Sequence, residues 1–187
     1  MSFLNKLVAG LDRAVAAFGL IGGWLVVPMM LTIVYDVVGR KFFDTGSMML
    51  QDLEWHLHGA LFLLAFGYGM QRDAHVRIEI VRDRWSERRK LWVDTAGIVL
   101  CVLPYCYLVL RYGLDFAERA YVRHEVAPGG MGLPNRWIIK SMLPFGFAIL
   151  AAAALAQLVR NVLTLAGAAR RGPDGLPGPA RAPIDVT

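Results

Sequence analysis

The chain has 187 residues, 56% of them apolar, with a mean hydropathy of +0.45 and a formal net charge of +5. Four windows are too long and too apolar for a soluble domain of this size, which excludes the soluble globular classes. The cationic residues sit in connections between those windows and form no basic face, so a nucleic-acid partner is excluded as well.

Residues 1–13 read as an amphipathic lead-in. Phe3, Leu4, Leu7, Val8 and Leu11 recur at helical spacing, with Lys6 and Arg13 on the polar side. Such a segment is expected to lie in the inner membrane interface. Ala14 to Tyr35 then provides 22 residues without a charge, roughly 33 Å as a helix and enough to cross a bilayer core. This apolar run is too long for a cleaved signal sequence, and no small-x-small site follows it. Gly19 and Gly23 stand in GxxxG register, a spacing that admits a closely packed second helix. Pro28 removes one backbone donor and should loosen the helix locally.

The stretch from Tyr35 to Glu54 joins the first window to the second. It puts Asp36, Arg40 and Lys41 at the end of one apolar run, and Asp52 and Glu54 at the start of the next. Charges cannot sit deep in hydrocarbon, so they mark where the chain meets the head groups. With helices on both sides, the turn brings a cationic end beside an anionic start. Arg40 is then expected to pair with Asp52 or Glu54; the alternative is stop-transfer charges beside a polar helix start. Trp55 suits an interface anchor.

The second window runs from Trp55 to Gln71, the third from Thr95 to Leu110 and the fourth from Ser141 to Val159. Borrowing flanking residues, the spans are placed at about 14–38, 53–71, 91–111 and 139–160. His56 and His58 invite a haem reading, but the other three windows hold no histidine to supply a facing axial ligand. The two cysteines, Cys101 and Cys106, are five residues apart on one helix and cannot form a metal site or a structural disulfide. The connection after the second window alternates Val76, Ile78 and Ile80 with Arg77 and Glu79, as an extended stretch or a surface helix. Its Arg84, Arg88, Arg89 and Lys90 would face anionic lipid.

From Arg111 to Lys140 there are 30 residues, too many for a bare hairpin link. Leu110, Leu114, Ala117 and Tyr121 continue an apolar stripe, so the third span is expected to project as a helix above the outer leaflet. A Pro-Gly turn then returns the chain to an anchor at Trp137. The fourth window is alanine-rich, which suits close packing. The tail from Gly167 is rich in Gly, Pro and Ala and is expected to be disordered.

The expected architecture is an all-α integral membrane protein with four transmembrane helices and interfacial amphipathic segments. A membrane domain covers 1–166 and a disordered cytoplasmic tail covers 167–187. Thirteen Lys and Arg fall in the two termini and the second connection, against seven in the first and third connections. The positive-inside rule therefore puts both termini in the cytoplasm. No Asp, Glu, Lys or Arg lies near the middle of a window, and no phosphate loop, HExxH or nucleophile elbow is present. No catalytic, substrate-binding, metal or cofactor residue is predicted. The chain reads as a non-enzymatic partner subunit.

Several segments resemble the small membrane subunit of tripartite ATP-independent periplasmic transporters. They are Asp36-Val37-Val38-Gly39-Arg40-Lys41-Phe42-Phe43, Gln51-Asp52-Leu53-Glu54-Trp55-His56 and His75-Val76-Arg77-Ile78-Glu79. Gly132-Leu133-Pro134, with Trp137, Ile138 and Lys140, completes the set. The likeness covers nearly all of the chain except the tail. Its longer connections resemble the branch often labelled mannitol/chloroaromatic. Many members carry two adjacent acids before the tryptophan where this chain has Leu53-Glu54, so either Asp52 or Glu54 could answer Arg40.

The resemblance implies a scaffold beside a large membrane subunit that carries the transport path, usually Na⁺-coupled. It also implies a periplasmic binding protein that delivers an organic acid, in a complex of the bacterial inner membrane. The outer connection would stand where that protein docks, with Arg119, Arg123 and Glu125 as contact residues. Membrane lipids are the other expected partner. Two readings compete with it: a membrane-anchor subunit of a redox or haem enzyme, and an autonomous small exporter.

Overall fold

The computed structural model describes residues 2–72, 85–127 and 130–167. Most of the connection after the second window, with its Val76–Ile80 alternation, His75 and Arg84, lies outside those residues, as does the tail from 168. Among the described residues every regular element is helical. They are α1 (Ser2–Trp24), α2 (Val26–Phe43), α3 (Met48–Gln71), α4 (Glu87–Gly97), a π turn (Ile98–Val102), α5 (Leu103–Val122) and α6 (Trp137–Leu165).

Two breaks have prolines beside them. Pro28 has no N–H for the carbonyl four residues back, and the rod Phe3–Phe43 is interrupted at Leu25, between α1 and α2. Pro104 likewise cannot serve Leu100, and the chain passes through a π turn there, closed by Leu103 N–H to the Ile98 carbonyl. The amphipathic lead-in forms the first turns of α1, continuous with the apolar run.

Side-chain contacts give the topology. Along α1 and α3, Asp12 meets Gln71 and Gly22 faces Leu64, so these helices are antiparallel. Asp52 reaches Leu133, Gly59 faces Ile139 and Gly67 faces Ile149, so α3 and α6 run in the same direction. Thr95 meets Asn161, Gly113 faces Pro144 and Tyr121 meets Trp137, so the α4–α5 column runs against α6. The result is an up-down-up-down bundle. Its N-terminus and the end of α6 share one end; the α2–α3 turn and the 123–136 connection share the other.

By length and composition, three stretches could cross a membrane: Phe3–Phe43, Glu87–Val122 and Trp137–Leu165. The second expected span falls in α3, whose 24 residues reach about 36 Å. Asp52, Glu54, His56 and His58 lower its hydropathy, yet its contacts run the length of the bundle.

Close approach dominates the packing. Val15, Leu64, Ile149 and Ala153 form the buried cluster, with Phe18, Leu25, Met70 and Ala152 packed on it. A Cβ on Gly67 would lie 2.9 Å from the Ile149 carbonyl oxygen, and one on Gly146 would lie 2.8 Å from that of Leu63. Backbone thus meets backbone between α3 and α6, the arrangement that lipid solvent favours because apolar burial alone does not drive helices together there. Of the alanines at 151–154 expected to pack closely, Ala153 and Ala154 are buried and Ala151 and Ala152 half-buried; Ala156 is buried as well. The GxxxG expectation is corrected in part. Gly19 and Gly22 face α3, at Tyr68 and Leu64, while Gly23 has open space around it. A spacing of three, not four, fits the face that α3 covers.

Candidate functional site

The family-like segments 36–43, 51–56 and 132–140 converge on the end of the bundle that carries the α2–α3 turn, while His75–Glu79 lies outside the described residues. Asp44, in the left-handed region at φ 53°, stops α2, and Thr45 N–H returns to the Gly39 carbonyl at 3.1 Å. One turn back, Arg40 forms an ion pair with Asp36, which is completely buried, while Arg40 keeps 44% of its side chain exposed. The Arg40 stem also packs on Gly46, with Cγ 3.3 Å from where a Cβ would stand.

The expected pairing of Arg40 with Asp52 or Glu54 is therefore corrected. Asp36 and Arg40 are four apart on one helix and meet without any cross-helix alignment. Asp52 turns instead toward the other connection, where its Oδ2 accepts from Leu133 N–H at 2.9 Å. A Cβ on the neighbouring Gly132 would lie 2.9 Å from that same oxygen and 2.3 Å from the Ala127 Cβ, so the seat admits only glycine. His56 Nδ1 lies 2.6 Å from the Asp52 carbonyl oxygen. Glu54 keeps a buried carboxylate oxygen with no partner among the described residues. Trp55, 74% exposed, points out of the bundle, as an anchor would.

We expect the Asp36–Arg40 contact to be the energetic one. In a double-mutant cycle on the stability of the purified chain, Asp36→Ala with Arg40→Ala should couple by about 1 kcal/mol or more. Glu54→Ala with Arg40→Ala should be additive within about 0.5 kcal/mol. The reverse pattern would reinstate the cross-turn pair.

The described ends of the 123–136 connection are tied together by hydrogen bonds. His124 takes the left-handed conformation, Glu125 N–H returns to the Ala120 carbonyl at 3.0 Å, and Arg136 N–H bonds the Glu125 carbonyl at 3.2 Å. Lys140 bonds Glu125 at 2.5 Å, and its ammonium stands 3.9 Å over the Phe116 ring. That hydrogen bond, with the charges of Lys140, Arg136 and Arg123, holds the Glu125 carboxyl below its usual range. The Tyr121 and Trp137 rings meet edge to face at 5.4 Å. α5 therefore runs on as a helix through Val122, as expected, and ends level with the start of α6. Of the residues predicted to touch a binding protein, Glu125 is committed to Lys140. Arg119 bonds the Asp115 carbonyl through Nε at 3.0 Å, and with Arg123 it lines an open recess.

The opposite end carries a polar layer that sequence reasoning missed. Gln71 Nε2 donates to both the backbone oxygen and Oδ1 of Asp12, each at 2.9 Å. Arg160 donates to Asp12 Oδ2 at 2.7 Å and to Gln157 Oε1 at 2.9 Å. Gln157 donates to Asn161, which reaches Thr95 at 3.4 Å. One network thus ties α1, α3, α4 and α6. The only signal in the sequence is that each of these residues stands at the edge of an apolar window.

Residues 29–164 match the family model described as tripartite ATP-independent periplasmic transporters, DctQ component. No curated protein matches the chain.

Proposed function

The chain belongs to the DctQ component family of tripartite ATP-independent periplasmic transporters, and from that premise we propose that it is the scaffold on which the large membrane subunit is held. As a DctQ component it is a small membrane subunit of such a transporter, multi-pass in the inner membrane, in a system that includes a large membrane subunit and a periplasmic binding protein. In our reading it crosses the membrane four times with both termini cytoplasmic, residues 1–166 forming the membrane domain and 167–187 the tail. The large subunit carries the transport path, coupled to Na⁺, for an organic acid handed over by the binding protein.

The observation that supports a scaffold best is how the ion pairs and hydrogen bonds of the bundle are used. Asp12–Arg160 at one end, and Asp52–Leu133 and Glu125–Lys140 at the other, join elements of the same chain. Such contacts hold helices in fixed positions, which is what a support for a moving partner requires.

Two measurements test this. Single cysteines at Ser2 and Ser47 should label from opposite sides, with Ser47 reached from the periplasm; labelling of Ser47→Cys only from the cytoplasm would sink the topology. Coexpression with the large subunit should give a stable complex, and uptake should need both chains. Transport by this chain alone would overturn the scaffold reading, and a haem Soret band at unit stoichiometry would favour the redox alternative. For the binding protein, Arg119→Glu with Arg123→Glu should lower uptake at limiting binding protein, and the defect should shrink when that protein is in excess.

A further inference from the structure

A groove runs along the outer half of α5, with Leu143 of α6 on one wall of its apolar part, and its two ends differ in chemistry. Its lower part, about 430 Å³, is lined by Leu108, Tyr112, Phe116 and Leu143, and its floor is Gly113, against which Pro144 of α6 packs closely. Its upper part, about 400 Å³, is lined by Asp115, Glu118, Arg119 and Arg123. Arg119 lines both.

The groove lies where the bundle should meet the head groups. Trp137 begins α6 beside it, and Lys140 stands over Phe116. From Ser141 to Val159, α6 carries no charge for 19 residues, about 29 Å and close to the thickness of a hydrocarbon core. The apolar part of the groove is therefore level with acyl chains, and its charged part with phosphates.

The charges there are not all neutralised within the chain. Asp115 is taken by Arg111, through two contacts of 2.7 Å. The bond from Arg119 Nε to the Asp115 carbonyl orients its guanidinium, whose two terminal nitrogens have no partner among the described residues. The side chain of Glu118 has none either, and Arg123, whose charge acts on Glu125, lines the recess without a side-chain hydrogen bond among the described residues. Two guanidinium groups and one carboxylate beside an apolar trough match an amphiphile whose head carries both a phosphate and an ammonium.

We propose that this groove is a phospholipid site that takes an aminophospholipid of the outer leaflet. Its phosphate lies on Arg119 and Arg123, its ammonium toward Glu118, and one acyl chain along Leu108, Tyr112, Phe116 and Leu143. The site rests on the proposed topology only for which leaflet supplies the lipid.

The test is native mass spectrometry of the full chain, alone and with its large subunit, after addition of defined amounts of phosphatidylethanolamine or phosphatidylglycerol. No binding protein is present, so the result is independent of docking. The wild-type chain should retain phosphatidylethanolamine several-fold better than Arg119→Glu or Leu108→Trp, which fills the trough. Arg119→Lys should keep most of the adduct, and Glu118→Lys should move the preference toward phosphatidylglycerol. Equal adducts in the wild type and in the Arg119→Glu and Leu108→Trp variants, all folded by melting temperature, would overturn the site. So would a complex that holds no lipid there while a photo-crosslinker at Tyr112 attaches to the large subunit, because a protein helix would then fill the groove.

Discussion

Asp12→Ala is expected to destabilise the chain by about 3 kcal/mol, the scale seen when one partner of a largely buried charge pair is removed. Asp12 and Arg160 keep only 23% and 11% of their side chains exposed. Without Asp12, the Arg160 guanidinium faces a low-dielectric helix interface with Gln157 alone, and Gln71 keeps the backbone oxygen of residue 12 but loses Oδ1. Asp12→Asn should cost less, since an amide oxygen can still receive Gln71, but it leaves the arginine charge unanswered. Arg160→Ala should also destabilise, by less than Asp12→Ala, because Asp12 would retain the Gln71 bonds. The double variant Asp12→Ala with Arg160→Ala should be more stable than the sum of the two losses by about 1–3 kcal/mol. Reversible unfolding in mixed micelles measures all four chains. Strict additivity would mean that solvent, not Arg160, satisfies Asp12.

The second large effect is expected from glycines that touch backbone. Gly67→Ala and Gly146→Ala each put a methyl group within 3 Å of a carbonyl oxygen on the facing helix. No rotamer change relieves such a contact; α3 and α6 must separate. A cost of about 1–3 kcal/mol is expected for each, and a larger one for leucine. Gly23→Ala and Gly69→Ala are the controls, because nothing lies within 4 Å of a Cβ at either place. They should be neutral or stabilising by up to about 1 kcal/mol, since alanine is the better helix former. If Gly67→Ala and Gly23→Ala behave alike in thermal unfolding, the close approach of α3 and α6 is not the main source of their packing.

How much of this was legible in the chain depends on how far each interaction reaches. The all-helical membrane class follows from residues read one at a time, because transfer into hydrocarbon is decided locally by each side chain and by an uninterrupted length. The outward exposure of Trp55, the break beside Pro28 and the buried Ala153 and Ala154 follow from the same local terms. Asp36 and Arg40 were also legible, as a pair four apart on one helix.

Folding decided the rest. Asp52 with Leu133, Gln71 with Asp12, and Arg160 with Asp12 join residues 81, 59 and 148 positions apart. Nothing in the spacing of an apolar window says which of its edge residues will meet. The face of α1 that α3 covers could not be read from a GxxxG spacing either, because Gly19, Gly22 and Gly23 are equally small. Only the packing selects the pair at positions 19 and 22. Composition and periodicity determine that these helices form and enter the bilayer, since those energies belong to single residues. The identity of each charge's partner is a property of helix order and rotation, which only the assembled bundle decides.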